Sequence, residues 1–271
     1  MDRLIRLGNE NFRTNGPIPF SRYADAGSAG NGNLPALIQF LGGDLRDSLA
    51  HVGNVVVSVQ RVREGGHLFH EGAKAVAVYV VAMGSFKSFH ITEDGYEQVV
   101  GFTNRKDVLG FDSIHVGRHV TSAVALEEAR VYAIAMEDVH QLGRGVPDLD
   151  RALHVAVSSQ LQRYGELVDL MSAVAAEARL GRFLLQLSQR MTSLGQSPHR
   201  LYLRMSRRDI ASYLGLAHET VSRSFGALTR AGYLVVNRRE VDILDMEGLR
   251  MCARGTRRVS HEQQRSITPK A

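Results

Sequence analysis

Four polar residues in the last quarter of the chain, His218, Glu219, Ser222 and Arg223, have the types and spacing to address a patterned surface of hydrogen-bond donors and acceptors. Positions 219, 222 and 223 are i, i+3 and i+4 neighbours, so on a helix they project together. A guanidinium there can donate a bidentate pair to guanine O6 and N7, a carboxylate can accept from cytosine N4, and a hydroxyl can meet a base edge or a phosphate. The helix that would carry them runs from about Ala217 to Ala231 and stops at Gly232, with Val221, Phe225 and Leu228 as its buried stripe. A shorter helix precedes it: Ser206 can cap Arg207 to Leu214, with Ile210, Ala211 and Leu214 turned inward. Gly215 supplies the corner between the two. Ala211, Gly215 and Val221 fit a helix-turn-helix: a small residue at the contact, glycine at the turn, a β-branched residue in the core. Behind it, "YLVVNRREVDIL" predicts strand, turn, strand, with Asn237, Arg238 and Arg239 at the tip. A hairpin in that place makes a winged helix. Ser206, Arg207, Arg208, Arg238 and Arg239 are then the candidates for phosphate contacts that set register on a duplex. An amphipathic helix pair with a merely solvated polar face is the alternative.

The rest of the chain must position these residues. It has 271 residues, enough for two domains. No run of about 18 apolar residues suggests a membrane span, and "MDRLIRLGNENFRTNG" lacks the apolar core of a signal peptide. The single cysteine, Cys252, excludes an intramolecular disulfide and any cysteine-ligated zinc or iron–sulfur site, and suits a cytoplasmic location. From Arg179 onward there are 17 Lys and Arg against 7 Asp and Glu, a net of +10, and 16 of the 17 are arginine. The preceding part has 16 basic against 21 acidic residues, a net of −5. An acidic front joined to an arginine-rich back fits a sensor attached to a nucleic-acid binder, with double-stranded DNA as partner and no membrane.

The expected fold class is α+β. Residues 1–45 read as a mostly irregular, glycine-rich extension. Residues 46–145 hold short β-rich runs such as "AVYVVAMG", "SFKSFHIT" and "EQVVGFT", punctuated by glycine, which predict an antiparallel β-roll of jelly-roll type acting as the sensor. Residues 146–178 predict a long helix whose seam includes Leu149, Leu153, Val157, Leu161, Tyr164, Val168 and Met171. That seam packs either on the chain's own roll or on the same helix of a second subunit. A helix-turn-helix favours the second, because dimers address two half-sites. Residues 179–255 form the DNA-binding domain, opened by the amphipathic run "AEARLGRFLLQLSQRM", and 256–271 a polar tail.

This order of elements, with these residues, resembles the Crp/Fnr family of bacterial transcription regulators over roughly Val52 to Gly255. "GGHLFHEG", "ITEDGYEQVVGF", "DVLGFDSI" and "MSRRDIASYLGLAHETVSRSFGALTRAGYL" carry the likeness, the last three to its Fnr branch. The resemblance implies that Glu219, Ser222 and Arg223 address a TTGAT-type half-site, so that a homodimer would recognise a TTGAT-N4-ATCAA-type palindrome. It implies that Leu153, Val157, Leu161, Tyr164 and Val168 form the dimer interface. It also implies that the turn at Thr92, Glu93 and Gly95 meets RNA polymerase. Departures from the family pattern matter equally. No cysteine precedes position 252, so the iron–sulfur sensor of Fnr cannot be built. Cyclic-nucleotide members hold the phosphate with Gly-Glu and Arg-Ser pairs, where this chain has Gly110-Phe111-Asp112 and Thr121-Ser122. Tyr164 stands where Fnr proteins carry an acidic brake on dimerisation.

Other chemistry is thinner. His67, His70 and Glu71 could suggest a cupin-like metal enzyme, but the His-x-x-His-Glu spacing is not the usual one. His90, His115 and His119 could ligate haem, and a regulator gated by haem or another small effector is the alternative within the family. No P-loop, nucleophile elbow or pair of catalytic carboxylates is present, so no enzymatic activity and no bound cofactor are expected. Cys252 lies among arginines that could lower its pKa; it is either a redox switch or an inert half-buried thiol.

Overall fold

A computed structural model describes residues 30–32, 34–42, 55–139 and 147–254. The expected tail at 256–271 and most of the expected N-terminal extension lie outside them. The front of the molecule is built from β1 (Gly30–Gly32), β2 (Val57–Val62), β3 (His67–Phe69), β4 (Ala77–Met83), β5 (Phe86–Ile91), β6 (Glu97–Thr103), β7 (Val108–Leu109), β8 (Ser122–Ala125) and β9 (Ala129–Ala135). They form two antiparallel sheets, ordered β1-β2-β9-β4-β7 and β3-β8-β5-β6. The period-two alternation of strands distributes the core. On β4, Ala77, Tyr79 and Val81 join Phe69, Phe86 and Val131 in one cluster, while Val78 and Val80 join a second on the other side of the same strand. Burial on both faces is why this strand is apolar without a break.

The second cluster shows that the N-terminal stretch is not irregular throughout. β1 pairs with β2, and helix α1 (Leu34–Leu41) seats Leu34, Leu37 and Ile38 against Val57, Val78, Val80 and Ile134. The i, i+3, i+4 spacing of those three residues is a helical stripe, but one only two turns long and set beside a glycine-rich run. The roll therefore gains elements ahead of its expected boundary at residue 46.

A short helix, α2 (Met136–Val139), ends the roll, and α3 (Pro147–Ser172) follows. The seam of α3 is divided. Leu149 and Leu153 pack on the roll and α1, and Leu153, 2% exposed, belongs to the chain's own core rather than to a free dimer face. Further along, Leu161 is 65%, Tyr164 43% and Val168 72% exposed. The long helix also stops earlier than expected. Residues 173–175 are non-helical, and α4 (Ala176–Ser193) opens the DNA-binding region, so the expected boundary at 178/179 falls inside α4. Among the described residues no helix is long and apolar enough to cross a membrane.

The back of the molecule holds α5 (Arg207–Leu214), α6 (His218–Arg230), α7 (Met246–Ala253) and a sheet ordered β10-β12-β11, from β10 (Arg200–Tyr202), β11 (Leu234–Asn237) and β12 (Glu240–Ile243). β10 and α7 were not foreseen; β10 has only three residues, and α7 has two turns, capped by the Asp245 carboxylate, which accepts from the Gly248 amide at 2.8 Å. One core runs across the two domains: Phe89, Val99 and Phe102 of the roll join Leu180, Phe183, Tyr213, Val221 and Phe225.

Candidate nucleic-acid interface

The first helix of the pair starts where Ser206 predicts. Its hydroxyl accepts from the Asp209 amide at 3.1 Å, and the Asp209 carboxylate accepts from the Ser206 amide at 2.9 Å and from its hydroxyl at 2.6 Å. This is a reciprocal capping box, which commits the Ser206 side chain to the helix rather than to a phosphate. α5 ends at Gly215, with φ 60° and ψ 41°. A Cβ there would have ordinary contacts only, so it is the left-handed backbone that calls for glycine. Val221, Phe225 and Leu228 of α6 are buried, as their spacing predicts.

The outward face of α6 carries His218, Glu219, Ser222 and Arg223, all exposed. Glu219 lies in the first turn, where a carboxylate complements the helix dipole. The predicted readers are thus brought together on one solvent-facing surface by a helix whose opposite side is locked into the core. Arg208 is exposed on α5, where it lines a cleft with Lys87, Tyr96 and Ser212, and Arg238 and Arg239 form the tip of the β11–β12 hairpin, between paired Asn237 and Glu240. Arg238 has φ 54°, a left-handed conformation uncommon outside glycine. A two-residue hairpin turn demands such a residue, and glycine is the usual occupant. Here an arginine is held in that conformation despite the strain. Nothing in the sequence announces this strain.

Arg207 departs from expectation. Its guanidinium lies 3.5 Å from the centroid of the Phe225 ring, and Nη2 donates to the Arg238 carbonyl oxygen at 3.5 Å. Burial lowers its pKa, and Nη1 is buried with no partner among the described residues. It ties α5, α6 and the wing together, whereas Arg208 is exposed.

The remaining candidates are scattered. Thr92 to Gly95 form the exposed turn between β5 and β6, where the Thr92 hydroxyl donates to the Asp94 carboxylate and the Tyr96 amide approaches the same group at 3.4 Å; these bonds lower the Asp94 pKa. His67 and His70 stack at 4.0 Å, but Glu71 turns to the Ile91 amide at 3.2 Å, and no group of three metal-ligating side chains exists among the described residues. His119 is buried, stacked on Phe69 at 3.8 Å and bonded through Nδ1 to Ser113 Oγ at 3.0 Å, while His115 lies on the surface. Of the two readings of Cys252, the half-buried thiol is the one favoured: burial and the nearby Glu177 carboxylate push its pKa up, and it packs against the core.

A cavity opens where the roll meets the helices. Gly110 and Thr121 line it from the roll, Gln160, Arg163 and Tyr164 from α3, Arg190 from α4 and Tyr213 from α5. Arg163 pairs with Asp107 at 3.0 Å.

Comparison with known proteins agrees with this architecture. Residues 59–144 match a cyclic nucleotide-binding domain and residues 178–252 a Crp-like helix-turn-helix domain. The chain is 37% identical over 190 residues to the transcriptional regulatory protein btr of Bordetella pertussis, spanning 70% of this chain and 78% of that one. It is 34% identical over 212 residues to the fumarate and nitrate reduction regulatory protein of Escherichia coli K12, spanning 78% of this chain and 85% of that one. The structure of FixK2 from Bradyrhizobium japonicum superposes with a TM-score of 0.65 at 26% identity, covering 73% of this chain and 97% of that one. With the roll and the helix-turn-helix domain both matched, and relatives above 30% identity covered over more than two thirds of their length, the chain belongs to the Crp/Fnr family of DNA-binding transcription regulators.

Proposed function

We propose that the protein works in the cytoplasm as a homodimeric regulator that recognises a TTGAT-N4-ATCAA-type palindrome and carries no iron–sulfur cluster. The observation that carries the reading is the exposed set of Glu219, Ser222 and Arg223 on α6. Arg223 donates to guanine O6 and N7, Glu219 accepts from cytosine N4, and Ser222 meets a base edge or the neighbouring phosphate. Arg208, Arg238 and Arg239 grip phosphates on either side. The dimer is supported by the exposed stripe of Leu161, Tyr164 and Val168 on α3, continued by half-buried Val157. The exposed Thr92–Gly95 turn is the surface for RNA polymerase. The sole cysteine, Cys252, leaves a cluster without ligands.

A gel-shift matrix tests this. Arg223→Ala should cost about 1–3 kcal/mol on the cognate duplex, and much less on a duplex already mutated at the paired guanine. Glu219→Ala should relax discrimination at the cytosine with little loss of total affinity. If Arg223→Ala weakens every duplex equally, α6 does not read bases.

The cavity beside α3 supports gating by a small effector. Its residues do not fit the phosphate of a cyclic nucleotide: Thr121 replaces the arginine of the roll, and the guanidinia present, Arg163 and Arg190, come from the helices. The effector is therefore a different small molecule. Calorimetry with cAMP should show no stoichiometric binding, and an absorption spectrum of protein purified from its host tests haem directly.

A further inference from the structure

A polar seam joins the roll to α5, through residues outside the exposed face of α6. β6 is an edge strand of its sheet, so one side of its backbone has no strand to pair with. Helix α5 covers that edge through one side chain. The hydroxyl of Ser212, a residue 3% exposed, accepts from the Val99 amide at 2.8 Å and donates to the Glu97 carbonyl at 2.7 Å. The Ser212 carbonyl accepts from Gln98 Nε2 at 2.8 Å. Beside it, Lys87 Nζ reaches Asp209 Oδ1 at 2.9 Å and Glu97 Oε2 at 3.0 Å. Asp209 is also the carboxylate of the α5 capping box, so the same group that starts the helix anchors it to the roll. A bulge in β6 makes the fit. Ser88 pairs with Gly101 and Phe89 with Val99, which leaves Val100 unpaired and brings Lys87, Phe89, Val99 and Phe102 onto one face.

We infer that this seam, through Ser212, Lys87 and Asp209, sets which spacing between half-sites the protein accepts; the inference rests on the dimeric DNA-binding reading above. The DNA-binding domain is attached to α3 by a single chain through the non-helical residues 173–175. One covalent joint leaves rotation free, and fixed contacts remove it. The apolar core shared through Phe89, Val99 and Phe102 and the Arg204–Glu127 pair at 3.1 Å are two of them, and the seam is the one made of directional bonds to a strand edge. One base pair of extra spacing displaces a half-site by about 3.4 Å and turns it by about 35°. Hydrogen bonds of 2.7–2.9 Å cannot stretch over that distance. A closed seam therefore sharpens the one separation at which the two α6 helices are held, and an open one leaves only the less directional apolar core to resist a shift. Ser212, Lys87 and Asp209 are positioning residues, since none lies on the α6 reading face.

The experiment uses the full chain and TTGAT palindromes whose spacer is four base pairs, one shorter or one longer, together with a duplex bearing a single half-site. Ser212→Ala and Lys87→Met, each of which removes two polar contacts, should each narrow the preference for the best spacing by about fivefold or more, and leave single half-site affinity unchanged. Lys87→Arg, which keeps the ion pair, should restore the preference. If Ser212→Ala fails to fold, the Lys87 pair carries the test alone. Unchanged spacing preference in a folded dimer overturns the inference, as does a parallel fall in half-site affinity, which would make the seam a matter of folding or direct contact. A wild type that binds no duplex, or is monomeric by light scattering, overturns instead the regulator reading on which the inference stands.

Discussion

At the scale of single residues, charge and geometry separate side chains that look alike in the sequence. Arg207 and Arg208 are adjacent arginines, yet Arg208 is exposed and Arg207 is stacked on Phe225. A phosphate contact needs only a positive charge, whereas a stack needs the planar guanidinium. Arg207→Lys should therefore weaken cognate binding about as much as Arg207→Gln, whereas lysine would restore most of the affinity if the residue gripped a phosphate. Titrations of both variants on one duplex decide the matter. His119 makes a second prediction. Burial holds its pKa at about 4, against 6.5 for the free side chain. The unfolded chain takes up this proton near pH 6.5 and the folded chain does not, so the contribution is fully present above pH 6.5 and is lost as pH falls towards 4. The loss is on the order of 3 kcal/mol. Urea unfolding between pH 7 and 4.5 should be visibly less pH-dependent in His119→Phe, which keeps an aromatic ring against Phe69.

At the scale of elements, α3 serves two cores with one seam. Its first turns answer to the roll through Leu149 and Leu153, and its later turns expose Leu161, Tyr164 and Val168. Such a stripe gains by facing its own copy across a two-fold axis, where each apolar residue meets an apolar residue. A carboxylate placed there faces its symmetry mate and loses hydration for no partner. Tyr164→Asp should shift the protein from dimer towards monomer at micromolar concentration, measured by light scattering, with far-UV circular dichroism unchanged. A monomeric wild type would count against the dimer. The same element scale explains α1, whose stripe of Leu34, Leu37 and Ile38 closes the outer face of the larger sheet.

At the scale of the whole molecule, sensor and DNA-binding domain share a core. Phe102 packs at 5.0 Å from Tyr213 and 6.2 Å from Phe183, and Val99 and Phe89 lie in the same cluster as the α6 stripe. Domains that share buried aromatic area unfold together rather than in turn. Calorimetry of the protein should show one cooperative transition; Phe102→Ala should lower it, and separate it into two if the shared core is the coupling. Two well-separated transitions in the wild type would argue against a common core.

The DNA-reading elements were legible from sequence because their signals are local. Ser206 with Asp209, Gly215, the Val221–Phe225–Leu228 stripe and the Arg238–Arg239 tip each act within one or two turns of chain, and the periodicity of the β-runs marked the roll in the same way. The residue roles at the seams were not legible, because they depend on what lies opposite. Ser212 reads as an ordinary helix serine until the edge of β6 is placed against it, and nothing marks Val100 as a bulge until β5 pairs with β6. Leu153 and Leu161 occupy the same heptad seam, and only the position of the roll makes one a core residue and leaves the other exposed. Arg207 was assigned with its basic neighbours in sequence and Cys252 was left open, while the Phe225 ring for one, and burial with Glu177 for the other, close only in space, set their surroundings. Sequence by itself determined the helix-turn-helix, the wing and the β-rich character of the roll, since hydrogen-bond periodicity and capping are short-range. Tertiary structure alone decided which faces are buried and how the domains lock, since burial and edge pairing belong to contacts between residues distant along the chain.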